Sequence, residues 1–148
     1  MHLRIVTTLA LCLFTAFAMA ESSPVGLWKT IDDKTGKPRS IVRIVEENGV
    51  VSAIIEKGLM PGEDPDRVCD KCDPPRKNQR LQNMTFMWGL KKEGNEYKSG
   101  EILDPDIGKI YKCKLKLSDD GKKLDVRGYI GISLIGRTQT WYRESAIE

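Results

Sequence analysis

The amino-acid sequence predicts an all-β fold, a single antiparallel up-and-down β-barrel of about eight strands. The first observation behind this prediction is the segment 109–117, in which apolar or aromatic residues alternate strictly with lysines. Period-two alternation places the lysines on one face of an extended strand, whereas a helix would distribute them around its circumference. The second observation is that short β-branched or alternating segments recur between tight turns. Closing such a meander removes its exposed edges, which favours a barrel.

Clusters of turn-forming residues separate the predicted strands. Residues 32–38 are dense in Asp, Gly and Pro, and the pair Asn48-Gly49 is typical of a two-residue hairpin turn. A further turn is predicted at 118–121. The strands are expected at residues 25–30, 40–45, 50–56, 81–90, 96–103, 109–117, 122–130 and 132–143.

Residues 1–20 have the features of a cleaved export signal. A positively charged start is followed by an apolar run at 5–17 and by a small-x-small cleavage sequence at 18–20. The apolar run is too short to span a bilayer comfortably. We therefore expect residues 21–148 to form the mature protein, one periplasmic β-barrel domain that does not insert into a membrane after the signal is cleaved.

The charge and histidine content of the mature chain argue against several classes of function. Without Arg4, the 24 basic residues of the full sequence become 23, against 21 acidic residues, which gives a net charge of +2. That balance argues against nucleic acid as a partner. The single histidine, His2, lies within the export signal, which argues against catalysis or metal binding through histidine. We expect a monomer with no catalytic residues, metal or other cofactor.

Residues 58–80 predict a long, irregular surface loop, because they contain four prolines and no sustained periodicity. Within this loop, Cys69 and Cys72 are expected to form a disulfide, since exported chains usually use cysteine structurally. The alternatives for this pair are a thiol/disulfide function and a metal site. Cys113 is interpreted as a buried, unpaired thiol, and its alternative is a bond to one of the loop cysteines.

Short motifs carry two resemblances. Gly26-Leu27-Trp28 on the first strand, together with Arg143 on the last, is similar to the calycin arrangement, in which an Arg covers a first-strand Trp. A larger set of motifs, spread over nearly all of the mature chain, lies at residues 26–28, 102–105, 108–109, 111, 124–128 and 137–141. In this order, the motifs resemble those of the exported bacterial DUF2147 family. The resemblance implies a lipocalin-like β-barrel in the periplasm, and it brings no established catalytic activity.

Aromatic and basic residues on several strands are candidates for a ligand site inside the barrel. Phe86 and Trp88 are expected on the same face of the strand at 81–90. If Trp141 faces inward, the alternation carries Arg137 inward as well, and a buried guanidinium needs an anionic partner. The pattern indicates a small, partly apolar ligand. The candidate ligand-binding residues are Trp28, Trp88, Tyr111, Arg127, Arg137 and Trp141.

The same residues also have a structural interpretation. Aromatic side chains commonly form the core of a small barrel, and a bulge at Gly136 would turn Arg137 towards solvent. The sequence favours a non-enzymatic binding or envelope-associated module. The alternatives are a thiol or metal-binding protein that acts through Cys69 and Cys72, and a structural envelope protein without a ligand.

Overall fold

Segments that alternate apolar and polar residues form the strands of a closed β-barrel. A computed structural model describes residues 23–132 and 135–146, and the predicted export signal at 1–20 lies outside these residues. The strands are β1 (Gly26–Ile31), β2 (Pro38–Glu47), β3 (Val50–Gly58), β4 (Thr85–Glu93), β5 (Glu96–Asp104), β6 (Lys109–Leu117), β7 (Lys123–Tyr129) and β8 (Gly136–Glu144). Each strand pairs antiparallel with the next, and β1 pairs with β8. The predicted barrel of eight strands is therefore confirmed.

Strand β6 shows how the alternation creates one core. Cys113 and Leu115 are buried, whereas Lys112 and Lys116 on the same strand are exposed, as the period-two pattern predicts. Other strands bury large side chains in the same interior, and these include Trp28, Ile44, Val51, Leu90, Leu124 and Trp141. Within the two described ranges, no helix is long and apolar enough to cross a bilayer.

The two ends of the barrel have different connections. At one end, which we call the closed end, tight hairpins join β2 to β3, β4 to β5 and β6 to β7. Asn48 and Gly49 adopt φ angles of 51° and 77° there, and a two-residue hairpin turn of this kind needs positive φ at both positions. At the other end, which we call the mouth, lie the remaining four connections, of which the one between β3 and β4 is the longest.

A β-bulge in β4 changes which of its side chains face inward. The register between β3 and β4 shifts at Phe86, which has no partner on β3. Phe86 and Met87 are therefore both buried, and Trp88 lies opposite Glu101 on the outer face. The prediction that Phe86 and Trp88 share a face is wrong, because the bulge reverses the alternation between them.

The connection between β3 and β4, residues 59–84, is a folded loop rather than an irregular surface segment. Cys69 and Cys72 form the predicted disulfide, with their Cα atoms 5.4 Å apart. Both cysteines are buried, and Cys69 Sγ lies 3.7 Å from the carbonyl oxygen of Pro105 in the turn between β5 and β6. Residues 81–84 belong to this loop, so β4 begins at a later position than the sequence predicts.

Candidate ligand-binding cavity

The barrel contains a cavity of about 760 Å³ that opens at the mouth. This volume lies within the range typical of sites for small organic ligands. The apolar residues that form its wall come from six of the eight strands. They include Val42, Ile55, Phe86, Ile102, Val126 and Trp141. The interior therefore offers mainly dispersion contacts and apolar burial to a ligand.

Polar groups in the cavity wall already have partners within the protein. Thr30 and Ser40 share a hydrogen bond of 2.7 Å between their hydroxyl oxygens. Gln139 Oε1 accepts a hydrogen bond of 3.3 Å from Trp141 Nε1, and Gln139 Nε2 donates to Asp33 Oδ2 at 2.8 Å. Because these partners satisfy the polar atoms of Thr30, Ser40 and Gln139, none of the three demands a polar group from a ligand.

Ion pairs connect three segments at the rim of the cavity. Asp106, in the turn between β5 and β6, accepts hydrogen bonds from Arg39 at 2.7 Å and from Arg67 at 2.6 Å. Arg39 also pairs with Asp32 at 3.3 Å, and Arg67 pairs with Glu63 at 3.3 Å. The hydrogen bond to Asp106 raises the pKa of Arg67 above its ordinary value. These pairs hold the long loop against the mouth.

The charges that line the cavity nearly cancel. The basic residues in the lining are Lys34, Arg39, Lys57, Arg67 and Arg137. The acidic residues are Asp32, Asp33, Glu63, Asp64, Asp104 and Asp106. Five cations against six anions create no strong field of either sign, so the site suits a ligand whose polar end is neutral or zwitterionic.

Three of the six candidate residues from the sequence line the cavity, namely Tyr111, Arg137 and Trp141. Trp141 is buried and packs against Phe86, with 6.1 Å between the ring centroids. Arg137 lies at the rim, where its side chain is 68% exposed and its Nε is 3.0 Å from Asp33. Arg137 and Trp141 therefore lie on the same, inward face of β8 as predicted. The Arg137 guanidinium, however, is exposed to solvent at the rim and is not buried among apolar groups.

Trp28 lies at the closed end, outside the cavity lining. Its indole Nε1 donates a hydrogen bond of 2.7 Å to the carbonyl oxygen of Pro24, and the Arg143 guanidinium lies 4.3 Å from the ring centroid. Arg143 also donates to the carbonyl oxygens of Ser23 and Val25, at 2.7 Å and 2.9 Å. This is the arrangement that the calycin resemblance implies, and it corrects the placement of Trp28 beside a ligand.

Trp88 and Arg127 are on the outer face of the barrel, which corrects their placement in the ligand site. The Arg76 guanidinium lies 4.0 Å from the Trp88 ring centroid. Arg127 donates a hydrogen bond of 3.2 Å to Thr138 Oγ1. The bulge in β4 explains why Trp88 points outward. Arg127 points outward because it alternates with neighbours on β7 that line the cavity.

Sequence reasoning missed the residues that shape the mouth. Arg39, Arg67 and Asp106 carry no motif that relates them to one another. The segment from Asp104 to Asp106 predicts a turn. Gly128 on β7 also lines the cavity. The sequence signal for it is weak, namely a glycine within an alternating strand, which suggests a close approach to the backbone.

The cysteines do not provide an accessible thiol. Cys113 is buried and unpaired, with its Sγ 3.6 Å from Met87 Sδ, so the alternative bond to a loop cysteine does not form. Burial raises the pKa of the Cys113 thiol to about 12. Across residues 23–132 and 135–146, no group of three or more His, Cys, Asp or Glu side chains has a metal-binding arrangement.

Native protein is therefore expected to show no thiol that reacts with a disulfide reagent at mildly alkaline pH. Cys113 is protonated and inaccessible, and thiolate is the reactive form. A colorimetric thiol assay on the protein without residues 1–20 should detect one thiol after unfolding and three after unfolding with reduction. Reaction of three thiols in the native state would contradict both the buried disulfide and the buried Cys113.

Comparisons with known proteins agree with this architecture. Residues 26–143 match the family described as an uncharacterized protein conserved in bacteria, DUF2147. One similar solved structure is protein HP1028 from the human pathogen Helicobacter pylori, described as belonging to the lipocalin family. It aligns with a TM-score of 0.73 and 23% identity over 83% of this chain and 84% of that chain, a likeness that shows the fold. No curated protein matches the sequence. The chain therefore belongs to the DUF2147 family and has a lipocalin-like β-barrel.

Proposed function

We propose that this chain is an exported, non-enzymatic binding protein that holds one small, partly apolar ligand inside the barrel. The cavity of about 760 Å³ supports this proposal, because apolar side chains line its interior and nearly balanced charges surround its mouth. A ligand of this kind would bury its apolar part on binding, which is the main favourable contribution in such sites.

The proposed compartment is the periplasm. The apolar run and cleavage sequence within residues 1–20 support export. The disulfide between Cys69 and Cys72 agrees with an oxidising environment. A buried disulfide in a folded loop fits a structural role better than thiol exchange, which requires access to a sulfur atom.

We place the apolar part of the ligand against Phe86, Ile102 and Trp141 and its polar end near the rim. Tyr111 and Arg137 are the polar residues of the lining that the sequence also indicated. The ion pair of Arg137 with Asp33 is exposed, and an exposed pair contributes little to stability. Arg137 is therefore able to exchange its partner for a polar group of the ligand.

The variant Gly128→Leu is expected to weaken ligand binding by about tenfold or more, equivalent to about 1.4 kcal/mol. Gly128 lines the cavity. A Cβ atom there would lie 3.6 Å from Ile102 Cγ2 and 3.7 Å from Tyr111 Cβ, which are ordinary contacts. A leucine therefore fits the backbone but fills space that the ligand needs. The measurement is a fluorescence titration with a neutral naphthylamine probe.

Two control variants make this test specific to the cavity. Gly128→Ala adds one methyl group and leaves most of the volume free, whereas Thr138→Leu adds the same leucine to the outer face. Both are expected to bind the probe like the unmodified protein. If Gly128→Leu is folded and binds the probe equally well, the probe does not occupy the cavity.

Native mass spectrometry of protein purified from its own envelope would reveal a retained ligand. The lack of any bound mass or probe would favour a structural role.

A further inference from the structure

One side of the mouth exposes a group of isoleucines, which we call the isoleucine tip. Between 45% and 67% of each of these residues is exposed. They lie in the turn between β5 and β6, at the start of β6 and in the connection between β7 and β8. The residues are Ile107, Ile110, Ile130, Ile132 and Ile135. Grouped apolar exposure of this kind marks an interaction surface, whereas single exposed apolar residues are normal.

The tip continues into the cavity. Ile107, Ile130 and Ile135 line the cavity as well as being exposed. The nitrogen atom of Ile130 donates to the carbonyl oxygen of Ile135 at 2.9 Å, and that of Ile135 donates to Ile132 at 3.2 Å. These hydrogen bonds keep the described isoleucines of the β7–β8 connection together at the mouth.

The outer surface that runs from the tip to the closed end is basic. We call the outward positions of β6, β7 and β8 the basic face. Its charged residues are Lys112, Lys114, Lys116, Lys123, Arg127, Asp125 and Glu144. Lys114 pairs with Glu96 of β5 at 3.7 Å, and Glu144 pairs with Lys29 of β1 at 2.5 Å. Five cations against two anions give the outward positions of these three strands a net charge of +3, part of which Glu96 and Glu101 on the neighbouring strand β5 offset.

We propose that the isoleucine tip and the basic face together dock the barrel, mouth first, on a lipid bilayer with anionic headgroups. Isoleucines at the end of the barrel would enter the boundary between headgroups and acyl chains, and the cations nearest the tip, Lys112 and Arg127, would contact the headgroups. A second copy of this chain fits less well, because a symmetric contact through the tip would bring two basic faces towards each other.

Docking in this orientation turns the cavity towards the acyl chains. An apolar ligand would then move between the bilayer and the cavity along Ile107, Ile130 and Ile135 without crossing water. This consequence rests on the proposed ligand binding, whereas the docking itself does not.

Co-sedimentation with vesicles tests the apolar part of the proposal. The processed protein is used, because an uncleaved leader would itself enter a bilayer. The doubly substituted variant Ile107→Ser/Ile132→Ser is expected to bind vesicles of mixed phosphatidylcholine and phosphatidylglycerol about tenfold more weakly, or weaker still. Val25→Ser is the matched control, because Val25 is an exposed apolar residue next to the closed end. This control should bind like the unmodified protein.

Charge substitutions test the basic face separately. Lys112→Gln/Arg127→Gln removes the two cations of this face nearest the tip and is expected to lose about fivefold in vesicle affinity for each charge removed. This loss should decrease as salt is added and be absent on vesicles of phosphatidylcholine alone. The control, Lys91→Gln/Lys92→Gln, removes two exposed lysines of β4 that lie towards the closed end. It should leave vesicle binding unchanged.

Three results would overturn the docking proposal. The first is that the unmodified protein does not bind anionic vesicles, and the second is that the tip and basic-face variants bind as well as it does. The third is a dimer that does not bind vesicles and that Ile107→Ser/Ile132→Ser converts to a monomer, since the tip would then be a self-association surface. Gly128→Leu separates the two proposals, because it should lose the probe but still sediment with anionic vesicles.

Discussion

Replacing Trp28 with alanine is expected to lower the free energy of unfolding by about 4 kcal/mol. Trp28 is fully buried at the closed end and donates its indole hydrogen to the carbonyl oxygen of Pro24. Alanine would leave a large cavity, an unpaired carbonyl group and a guanidinium from Arg143 without the ring below it. Urea unfolding followed by circular dichroism measures this loss, and a decrease below about 1 kcal/mol would contradict it.

Two further variants separate the contributions to this anchor. Trp28→Phe keeps most of the buried ring and loses the hydrogen bond, so we expect a loss of about 1–2 kcal/mol. Arg143→Met keeps Trp28 but removes the donors to the carbonyl oxygens of Ser23, Val25 and Gly121. We expect a loss of about 2 kcal/mol, because the bonds are charge-assisted but partly exposed. Both losses should be smaller than that of Trp28→Ala.

Gly108→Ala is expected to cost about 3 kcal/mol of stability and to loosen the mouth. Gly108 ends the turn between β5 and β6 with a φ angle of 71°, which an L-residue adopts at a cost. A Cβ atom at this position would also overlap the backbone carbonyl of Lys71 in the long loop. The loop has to move away from the turn, so the Cys69–Cys72 disulfide should be reduced faster by dithiothreitol. Urea unfolding and the reduction rate are the two measurements.

Gly62→Ala is the matched control for this prediction. Gly62 lies in the same loop with a φ angle of 76° but has no atom within 4 Å of the added Cβ. It should lose only about 1 kcal/mol, the backbone part of the effect, and leave the rate of disulfide reduction unchanged. Equal losses for the two variants would show that contact between loop and turn contributes nothing.

Local patterns allowed much of the barrel to be predicted. The lysines of β6 alternate with buried Cys113 and Leu115, and Asn48-Gly49 forms the predicted hairpin turn. Both predictions depend only on residues that are close in the sequence, so they require no knowledge of the tertiary structure. The start of β4 was predicted too early, because residues 81–84 read as strand by themselves but complete the long loop.

The candidate site was predictable only in part. Trp141 and Arg137 share a face because a strand alternates regularly, and both line the cavity. The outward orientation of Trp88 could not be predicted without the bulge at Phe86, and that bulge depends on how β4 pairs with β3. The position of Trp28 outside the cavity could not be predicted either. A buried aromatic residue gives the same sequence pattern whether it lies in a packed core or in the wall of a pocket.

By itself, the sequence determined the number of strands, most of their turns and, outside β4, their inward and outward faces, because these follow from residues a few positions apart. Only the tertiary structure decided which residues meet at the mouth. Asp106 lies 67 positions from Arg39 and 39 positions from Arg67, and it joins them because barrel closure and the folded loop bring their segments together. The same closure places exposed isoleucines beside a basic face, since the position of a surface depends on which strands become neighbours in space.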